Sequence, residues 1–251
     1  MKKIFYLLVF FNFSLLISPI QAQFQIAVGG MGNDIVNSSV QTYDGGFVFA
    51  GNTNSFGAGL SDIYVIKIGN TGNIVWTITI GGTEADNATS IIQTSDGGFI
   101  LTGSTSSFGA GQSDLVIAKL SSSGTLIWFR TIGGVYSESG NSICETTDDG
   151  FAVTGNTASF GAGNDDLYVL KFDASGILQW NKVIGGGSLE RAYCIIKSND
   201  GGFLICGQTQ SYGAGANDAI LLKLDLNGSF QWCKNVWHKP GRSSYTSNTI
   251  N

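Results

Sequence analysis

The sequence predicts an all-β protein, a β-propeller of four 52-residue blades, each of which is a four-stranded antiparallel sheet. The first observation behind this prediction is a strict internal period, because tryptophans recur every 52 residues, at Trp76, Trp128, Trp180 and Trp232. The second is that short β-branched segments alternate with glycine-rich turns, while no window shows helical periodicity. Units of about 40 to 50 residues with four antiparallel strands are typical of propeller blades.

The period divides the chain into four repeats without insertion or deletion, at residues 29–80, 81–132, 133–184 and 185–236. Proline is absent from all four repeats, which suits a sheet because proline removes a ladder donor. A β-sandwich is the main alternative, but sandwich strands are not normally built as near-copies of one unit. The domain organisation predicted from the repeats is one propeller domain over residues 23–236.

The second repeat shows the predicted elements in chain order: strand 90–94, turn 96–98, strand 99–102, loop 107–111, strand 115–120, turn 121–124 and strand 125–132. The first turn is a hairpin signal, because glycine after aspartate accepts the positive φ of tight turns. The near-continuous apolar third strand is expected to be buried on both faces, between neighbouring blades. Trp76 alternates with Ile74 and Ile78, which predicts a core position rather than a sugar-stacking platform.

The strand count leaves two ways to close the propeller. Residues 24–28 lie 52 before residues 76–80, so the chain is expected to open with an extra fourth-type strand. In a closed four-bladed ring, either 24–28 or 232–236 completes the blade where the ends meet. If the blades instead belong to a larger ring, the fragment exposes two open edges. The tail 237–251 holds no repeat residue in register and is expected to be a truncated or frameshifted fifth repeat, or a disordered end.

The first 22 residues have the features of a secretory signal peptide. Two lysines precede an apolar run that ends at Pro19, and the small residue Ala22 marks the expected cut. An uncleaved anchor would need about 20 unbroken apolar residues, whereas Asn12 and Ser14 interrupt this run. We therefore expect an exported chain, secreted or at the cell surface, whose mature form is not inserted in a membrane.

The repeat motif resembles a known group. Its pattern is Gly-Gly, an acidic residue, Asp-Gly-Gly-Phe, Ser-Phe-Gly-Ala-Gly, Asp, Lys, Gly and Trp. This pattern is similar to the bacterial extracellular β-propeller repeat of secreted and surface proteins, loosely of the SBBP type, over residues 24–236. The resemblance implies a secreted or surface-bound propeller, in which the array is often longer and followed by a C-terminal sorting or adhesion domain.

Composition excludes several classes of function. The net charge of -5 offers no basic surface for a nucleic acid or an anionic membrane. The single histidine is His238, in the tail. A Ser-His-Asp or Cys-His site inside the array is therefore excluded, as is a zinc site with several imidazoles.

Three acidic positions recur in every repeat, and the simplest role for each is to cap a turn through backbone amides. They are Asp34, Asp86, Glu138 and Glu190; Asp44, Asp96, Asp148 and Asp200; and Asp62, Asp114, Asp166 and Asp218. The last set is also a weak candidate for binding Ca²⁺ through oxygens. Otherwise no cofactor is expected. Lys67 and its equivalents end the third strand and are expected to pair with an acid of the next blade.

Residues that differ between repeats are the better candidates for a specific ligand or reaction. Tyr136, Tyr193 and Arg191 are candidates for a ligand face, since aromatic and arginine side chains favour interfaces, and ordinary surface variation explains them equally well. Glu145 and Asp165 are among the blade-specific carboxylates from which a glycosidase would need two at about 5 to 10 Å.

The four cysteines carry no metal or redox motif. Cys194 and Cys206 flank the turn at Asp200 symmetrically, which predicts a cross-strand pair. We expect export to oxidise this pair to a disulfide, while Cys144 and Cys233 stay reduced.

These observations predict a secreted, non-enzymatic scaffold for extracellular interaction or adhesion, whose partner is a protein or a glycan. One alternative is a glycan-binding module, or an accessory to a polysaccharide-degrading enzyme. A less favoured alternative is a glycoside hydrolase that uses carboxylates alone, such as Glu145 or Asp165. Propellers host many unrelated functions, so the fold does not choose among these.

Overall fold

A computed structural model describes residues 26–213 and 216–234, together with the backbone of 235–238 and 245–249. All regular structure in these ranges is β-strand. The strands are β1 Asp34–Gln41, β2 Phe47–Thr53, β3 Asp62–Ile68, β4 Ile74–Ile80, β5 Asp86–Gln93, β6 Phe99–Thr105, β7 Asp114–Leu120, β8 Leu126–Ile132, β9 Glu138–Glu145, β10 Phe151–Thr157, β11 Asp166–Phe172, β12 Leu178–Ile184, β13 Glu190–Lys197, β14 Phe203–Thr209, β15 Asp218–Leu224, β16 Phe230–His238 and β17 Tyr245–Thr249.

The strands form four antiparallel sheets, each a meander of consecutive strands, which confirms the predicted blades. Blades 1 to 4 contain β1–β4, β5–β8, β9–β12 and β13–β17 respectively. The first strand of every blade carries a β-bulge at the same place, for example between Val36 and Ser38 in blade 1. A bulge strengthens the local twist and re-aims one side chain, and here it stands at the same offset in every blade.

Successive blades pack face to face, and the apolar layers between them form the core. The third strands β3, β7 and β11 are buried along their whole length, as predicted. Between blades 1 and 2 the layer includes Val65 from β3 and Leu101 from β6. Burial at about 25 cal/mol per Å² of apolar surface makes these layers the main favourable contribution to folding.

Tryptophan and glycine interlock at each internal junction. The indole of Trp76 packs against Gly124 of the next blade, so closely that a Cβ there would lie 2.7 Å from the ring. Trp76 Nε1 also donates to the carbonyl of Ser122 at 3.3 Å. Trp128 packs on Gly176, and Trp180 on Gly228, in the same way. The prediction that Trp76 belongs to the core is confirmed, although a second bulge in β4 leaves Ile74 exposed instead of beside it.

Blades 1 and 4 do not pack against each other in the described part of the chain, so the four blades form an open arc rather than a closed ring. The burial of the third strands agrees with this arrangement. β15 alternates between buried and accessible residues, whereas its equivalents in the other blades are buried throughout. Of the two arrangements that the sequence allows, the structure shows the open one.

The extra strand lies at the opposite end of the chain from the one predicted. Residues 26–30 form no strand, and residues 24 and 25 lie outside the described range, as does the predicted signal peptide. Instead, Val28 packs on the face of blade 1 beside Ile66 and Ile68. The tail, predicted to be outside the repeats, supplies β17, which pairs with the outer edge of β16. An unpaired strand edge is a template for such an addition. Within the described residues, no helix is long and apolar enough to cross a membrane.

Two glycine substitutions separate the interlock from simple backbone strain. Gly124 and Gly97 have φ of 83° and 80°, but a Cβ at Gly97 meets no atom within 4 Å. Gly97→Ala should therefore cost only the left-handed backbone strain, about 1 to 2 kcal/mol. Gly124→Ala should cost about 1 to 3 kcal/mol more, because the new methyl group displaces the Trp76 indole. Urea unfolding of both variants measures the difference, and equal destabilisation would contradict the interlock.

Candidate functional site

The blades present two rims of different character. The loop rim is formed by the β2–β3 loops and the connections between blades, including residues 106–113, 133–137 and 158–165. The turn rim, at the other end of every strand, is formed by the β1–β2 and β3–β4 turns. Connecting segments of a rigid scaffold are where binding residues concentrate.

The acidic residue that begins each first strand fastens the loop rim. Asp86 accepts hydrogen bonds from the amide of Gly82 at 2.9 Å, from Ser107 Oγ at 2.6 Å and from the hydroxyl of Thr105. Its equivalents Asp34, Glu138 and Glu190 make the corresponding contacts. In the first blade, bonds from Thr53 and from the Gly30 amide lower the pKa of Asp34. This set therefore has a structural role, as the repeat pattern predicts.

The calcium candidates are also engaged by backbone. One oxygen of Asp62 accepts the amides of Ala58 at 3.0 Å and Gly59 at 3.3 Å. Asp166 accepts the amide of Gly163 at 3.1 Å. The glycine-rich loop thus wraps around a carboxylate, and the positive φ of its first glycine, 104° at Gly57, permits the wrap. Asp114 holds its loop in the same way, and Asp218 lies against Gly213.

The second oxygen of two of these carboxylates has no partner. Oδ1 of Asp114 and Oδ1 of Asp166 are buried without a hydrogen bond. Oδ1 of Asp114 and one oxygen of Glu138 both lie against Gly133, so two acids meet at the blade junction. Burial, and secondarily the charge of Glu138, raise the pKa of Asp114. The described residues contain no group of three acidic, histidine or cysteine side chains arranged for a metal, so calcium binding stays a prediction.

The lysines at the turn rim pair within their own blade. Lys67 lies 2.9 Å from Asp44, and Lys119 lies 2.9 Å from Asp96. The expectation of an acid from the next blade is wrong, because the β1–β2 turn closes over the end of β3 in the same sheet. Burial acts to raise the pKa of Asp96, but bonds from Lys119, Thr94 and Gly98 outweigh it and lower the value to about 2.

Blade-specific side chains converge on a cleft in the loop rim. The cleft has a volume of about 450 Å³ and is lined by Gln112, Tyr136, Ser137, Ala158, Gly163, Asn164 and Asp165. Tyr136 is 57% exposed and holds the place taken by glycine, glutamate or serine in the other repeats. Arg191 borders the cleft, since its guanidinium lies 2.6 Å from Asp165.

Two of the three predicted ligand-face residues therefore meet at this cleft, Tyr136 in its lining and Arg191 at its border. Tyr193 does not line it. Its side chain, 51% exposed, projects from the β13 bulge on the open face of blade 4. The Arg191–Asp165 ion pair was not among the predictions from the sequence, although both residues break the repeat pattern at their positions.

A second polar cleft lies in the turn rim between blades 2 and 3. It has a volume of about 320 Å³, and its lining includes Ser95, Asp96, Lys119, Glu145 and Asp149. Asp149 has a φ of 59°, in a position where the other repeats have glycine. A non-glycine residue at positive φ is uncommon and marks strain that often accompanies function. Glu145 accepts hydrogen bonds from the amide and the hydroxyl of Ser95.

The cysteine pair lies as predicted in the sheet. Cys194 and Cys206 are directly opposite each other on β13 and β14, and both are thiols in this structure. Their oxidation to a disulfide stays a prediction. Burial raises the pKa of the Cys144 thiol to about 12, which makes it unreactive.

Comparison with known proteins gives partial likenesses. No protein-family model matches the chain. A stretch of 114 residues, 40% of this chain, is 26% identical to the regulatory protein FlaEY of Caulobacter vibrioides and spans only 12% of that protein.

Solved structures resemble the chain at low identity. A protein of unknown function from Bacteroides caccae has a TM-score of 0.49 and 13% identity, over 85% of this chain and 70% of its own. The endo-1,5-α-L-arabinanase of Thermotoga petrophila has a TM-score of 0.45 and 16% identity, over 76% of this chain and 57% of its own. The Pan2 WD40 domain of Neurospora crassa has a TM-score of 0.44 and 12% identity, over 92% of this chain and 63% of its own. These scores are below 0.5, so the fold assignment rests on the four sheets themselves.

Replacing Asp114 tests the buried acid pair. Because the pKa of Asp114 is raised on folding, its charge opposes folding above that pKa, and the penalty disappears as the pH falls and the carboxyl is protonated. Asp114→Asn should therefore raise the free energy of unfolding at pH 7, with a gain that shrinks toward pH 4.

Asp96→Asn is the matched control, because the pKa of Asp96 is lowered and its charge stabilises the fold at neutral pH. This variant should lose on the order of 1 kcal/mol at pH 7. Urea unfolding from pH 4 to pH 8 measures both. A destabilised Asp114→Asn protein at pH 7 would contradict the raised pKa.

Proposed function

We propose that this protein is an exported, non-enzymatic β-propeller scaffold that binds an extracellular protein or glycan at the loop rim of blades 2 and 3. The observation that carries the proposal is the cleft in which an exposed Tyr136 lies among polar groups. Binding sites combine an apolar or aromatic wall with a few fixed polar groups. Asp165 is one such group, and its ion pair with Arg191 holds it in place.

Export is supported by the signal-like residues 1–22 and by the resemblance of the repeats to those of secreted and surface proteins. The net charge of -5 favours neutral or basic partners over nucleic acids. The scaffold role is further supported by the recurring acids, since the aspartates and glutamates at the blade junctions are engaged in holding loops.

Glycan binding is the second candidate function. It is favoured because the cleft places the side-chain amides of Gln112 and Asn164 and the carboxylate of Asp165 beside an aromatic ring. Amides both donate and accept hydrogen bonds, which suits a ligand rich in hydroxyl groups. A tyrosine adds an apolar face with a polar tip at low entropic cost.

Binding to a panel of polysaccharides and purified extracellular-matrix proteins tests the proposal. Tyr136→Ala should weaken saturable binding about tenfold or more, because truncating an aromatic anchor typically costs above 1 kcal/mol. Tyr43→Ala is the control, since Tyr43 is also an exposed tyrosine but lies in the turn rim of blade 1. Equal effects of both substitutions, or of neither, would place the ligand elsewhere.

The same panel tests the absence of enzymatic activity. Incubation with each bound polysaccharide should release no shorter product. Turnover that is abolished by Glu145→Gln, at the turn-rim cleft, or by Asp165→Asn, at the loop-rim cleft, would replace the scaffold with a carboxylate-based hydrolase.

A further inference from the structure

The two ends of the open arc are the two halves of one repeated interface. We call the face of a blade that meets the next blade in the chain its leading face, and the face that meets the preceding blade its trailing face. At each internal junction, the leading face of one blade packs on the trailing face of the next. Within the described residues, no blade covers the leading face of blade 4 and none covers the trailing face of blade 1. The two end faces are therefore built from repeat positions that contact each other at every internal junction.

The leading face of blade 4 retains apolar residues but is uncovered. Val65, Ile117 and Val169 are fully buried at this position in blades 1 to 3, whereas the equivalent Leu221 is only half-buried. Ile196 on the same face is 52% exposed. Apolar residues that are accessible here but buried at the equivalent positions of the other blades indicate a candidate interaction site.

The trailing face of blade 1 is the complementary half. Val36 is 54% exposed, although its equivalents Ala88 and Ala192 are fully buried between blades. The segment 26–28 covers this face in part and leaves a small apolar cavity of about 140 Å³ lined by Val36, Phe49 and Ile66, among others. Thus both ends expose positions that are sealed at every internal junction.

A polar contact recurs across the first two internal junctions, and the repeat positions that make it are also present at the two ends. The amide of Tyr43 donates to Gln93 Oε1 of the next blade at 2.8 Å, and the amide of Ser95 donates to Glu145. The repeat places Gln41 of blade 1 where Gln93 stands in blade 2. Gln41 is exposed, and the repeat places Asn199 of blade 4 where Tyr43 and Ser95 stand in blades 1 and 2.

The two ends also carry the two residue types of the tryptophan–glycine contact, a tryptophan on blade 4 and a glycine on blade 1. Trp76, Trp128 and Trp180 each pack on a glycine of the next blade, whereas the fourth tryptophan, Trp232, lies under the Lys234 ammonium at 5.6 Å. The corresponding glycine of blade 1 is Gly72, whose φ of 86° matches the 83° of Gly124.

We propose that two copies of this chain join head to tail, blade 4 of each on blade 1 of the other, to close an eight-bladed propeller. Each contact joins two different faces, and the two contacts of a two-copy ring are related by a twofold axis, so the dimer as a whole is symmetric and closed. Eight blades lie within the range of known propellers. The proposal is independent of the ligand at the loop rim. Docking requires segment 26–28 to move from blade 1, because Val28 lies 52 residues before Ile80, which fills the internal junction between blades 1 and 2.

Two lysine variants test the head-to-tail arrangement. Light scattering after size-exclusion chromatography should give twice the mass of one chain for the wild type. Leu221→Lys blocks the leading face of blade 4, and Val36→Lys blocks the trailing face of blade 1, so each variant alone should be monomeric. An equimolar mixture should regain dimers, because the unaltered blade 4 of the Val36→Lys chain can pack on the unaltered blade 1 of the Leu221→Lys chain. Ile127→Lys, at an exposed position on β8 away from both ends, should leave the dimer intact.

Each other outcome overturns the proposal. A wild-type chain that stays monomeric up to about 100 μM has no stable second-copy interface at that concentration. Loss of the dimer in Leu221→Lys alone indicates pairing of blade 4 with blade 4. Filaments show that the ring does not close. If either lysine variant fails to fold by circular dichroism, negative-stain images of the wild type decide, because a ring of eight blades is expected and an open arc of four contradicts it.

Discussion

Each internal blade of this protein is apolar on both faces, and the need for a neighbour on each side governs the rest of the structure. The third strands carry this constraint most strongly, since β7 and β11 are buried along their whole length. A sheet with two apolar faces is stable only when both are covered. Blade order, the recurring bulges and the position of the tryptophans all follow from meeting this need at a fixed step of 52 residues.

Charged side chains have different partners at the two rims, and the difference recurs from blade to blade. At the turn rim each lysine meets an aspartate of its own blade, and the pair is partly open to solvent, so it contributes modestly. At the loop rim two carboxylates lie against the same glycine, as Asp114 and Glu138 do at Gly133. The loop amides that bind these acids offset part of their mutual repulsion. The loop rim is therefore held in shape by acids that act on backbone, and this leaves blade-specific residues free to vary.

Periodicity made most of the fold predictable. A step of 52 residues, with turn residues at fixed offsets, fixes the number of blades and the strands in each. The period does not encode whether a turn folds over the end of a strand in its own sheet or in the next one. The predicted pairing of Lys67 with an acid of the next blade is wrong for this reason, because strand alternation does not say over which sheet a turn folds. The pairing of β17 with β16 could not be predicted for another reason, since Tyr245–Thr249 carries no repeat residue and is placed by its backbone pairing with β16. Of the site, Tyr136 and Arg191 could be singled out by their departure from the repeat, but their convergence on Asp165 depends on three-dimensional packing.

The identical step at every junction also has an evolutionary consequence. Because Gly124, Gly176 and Gly228 each receive the preceding tryptophan, this contact does not depend on which blade follows which. Unequal recombination within such a gene would add or delete whole blades and still yield matching faces. Such an event would change the length of the array in whole steps of 52 residues and would leave the loop side chains of each blade unchanged.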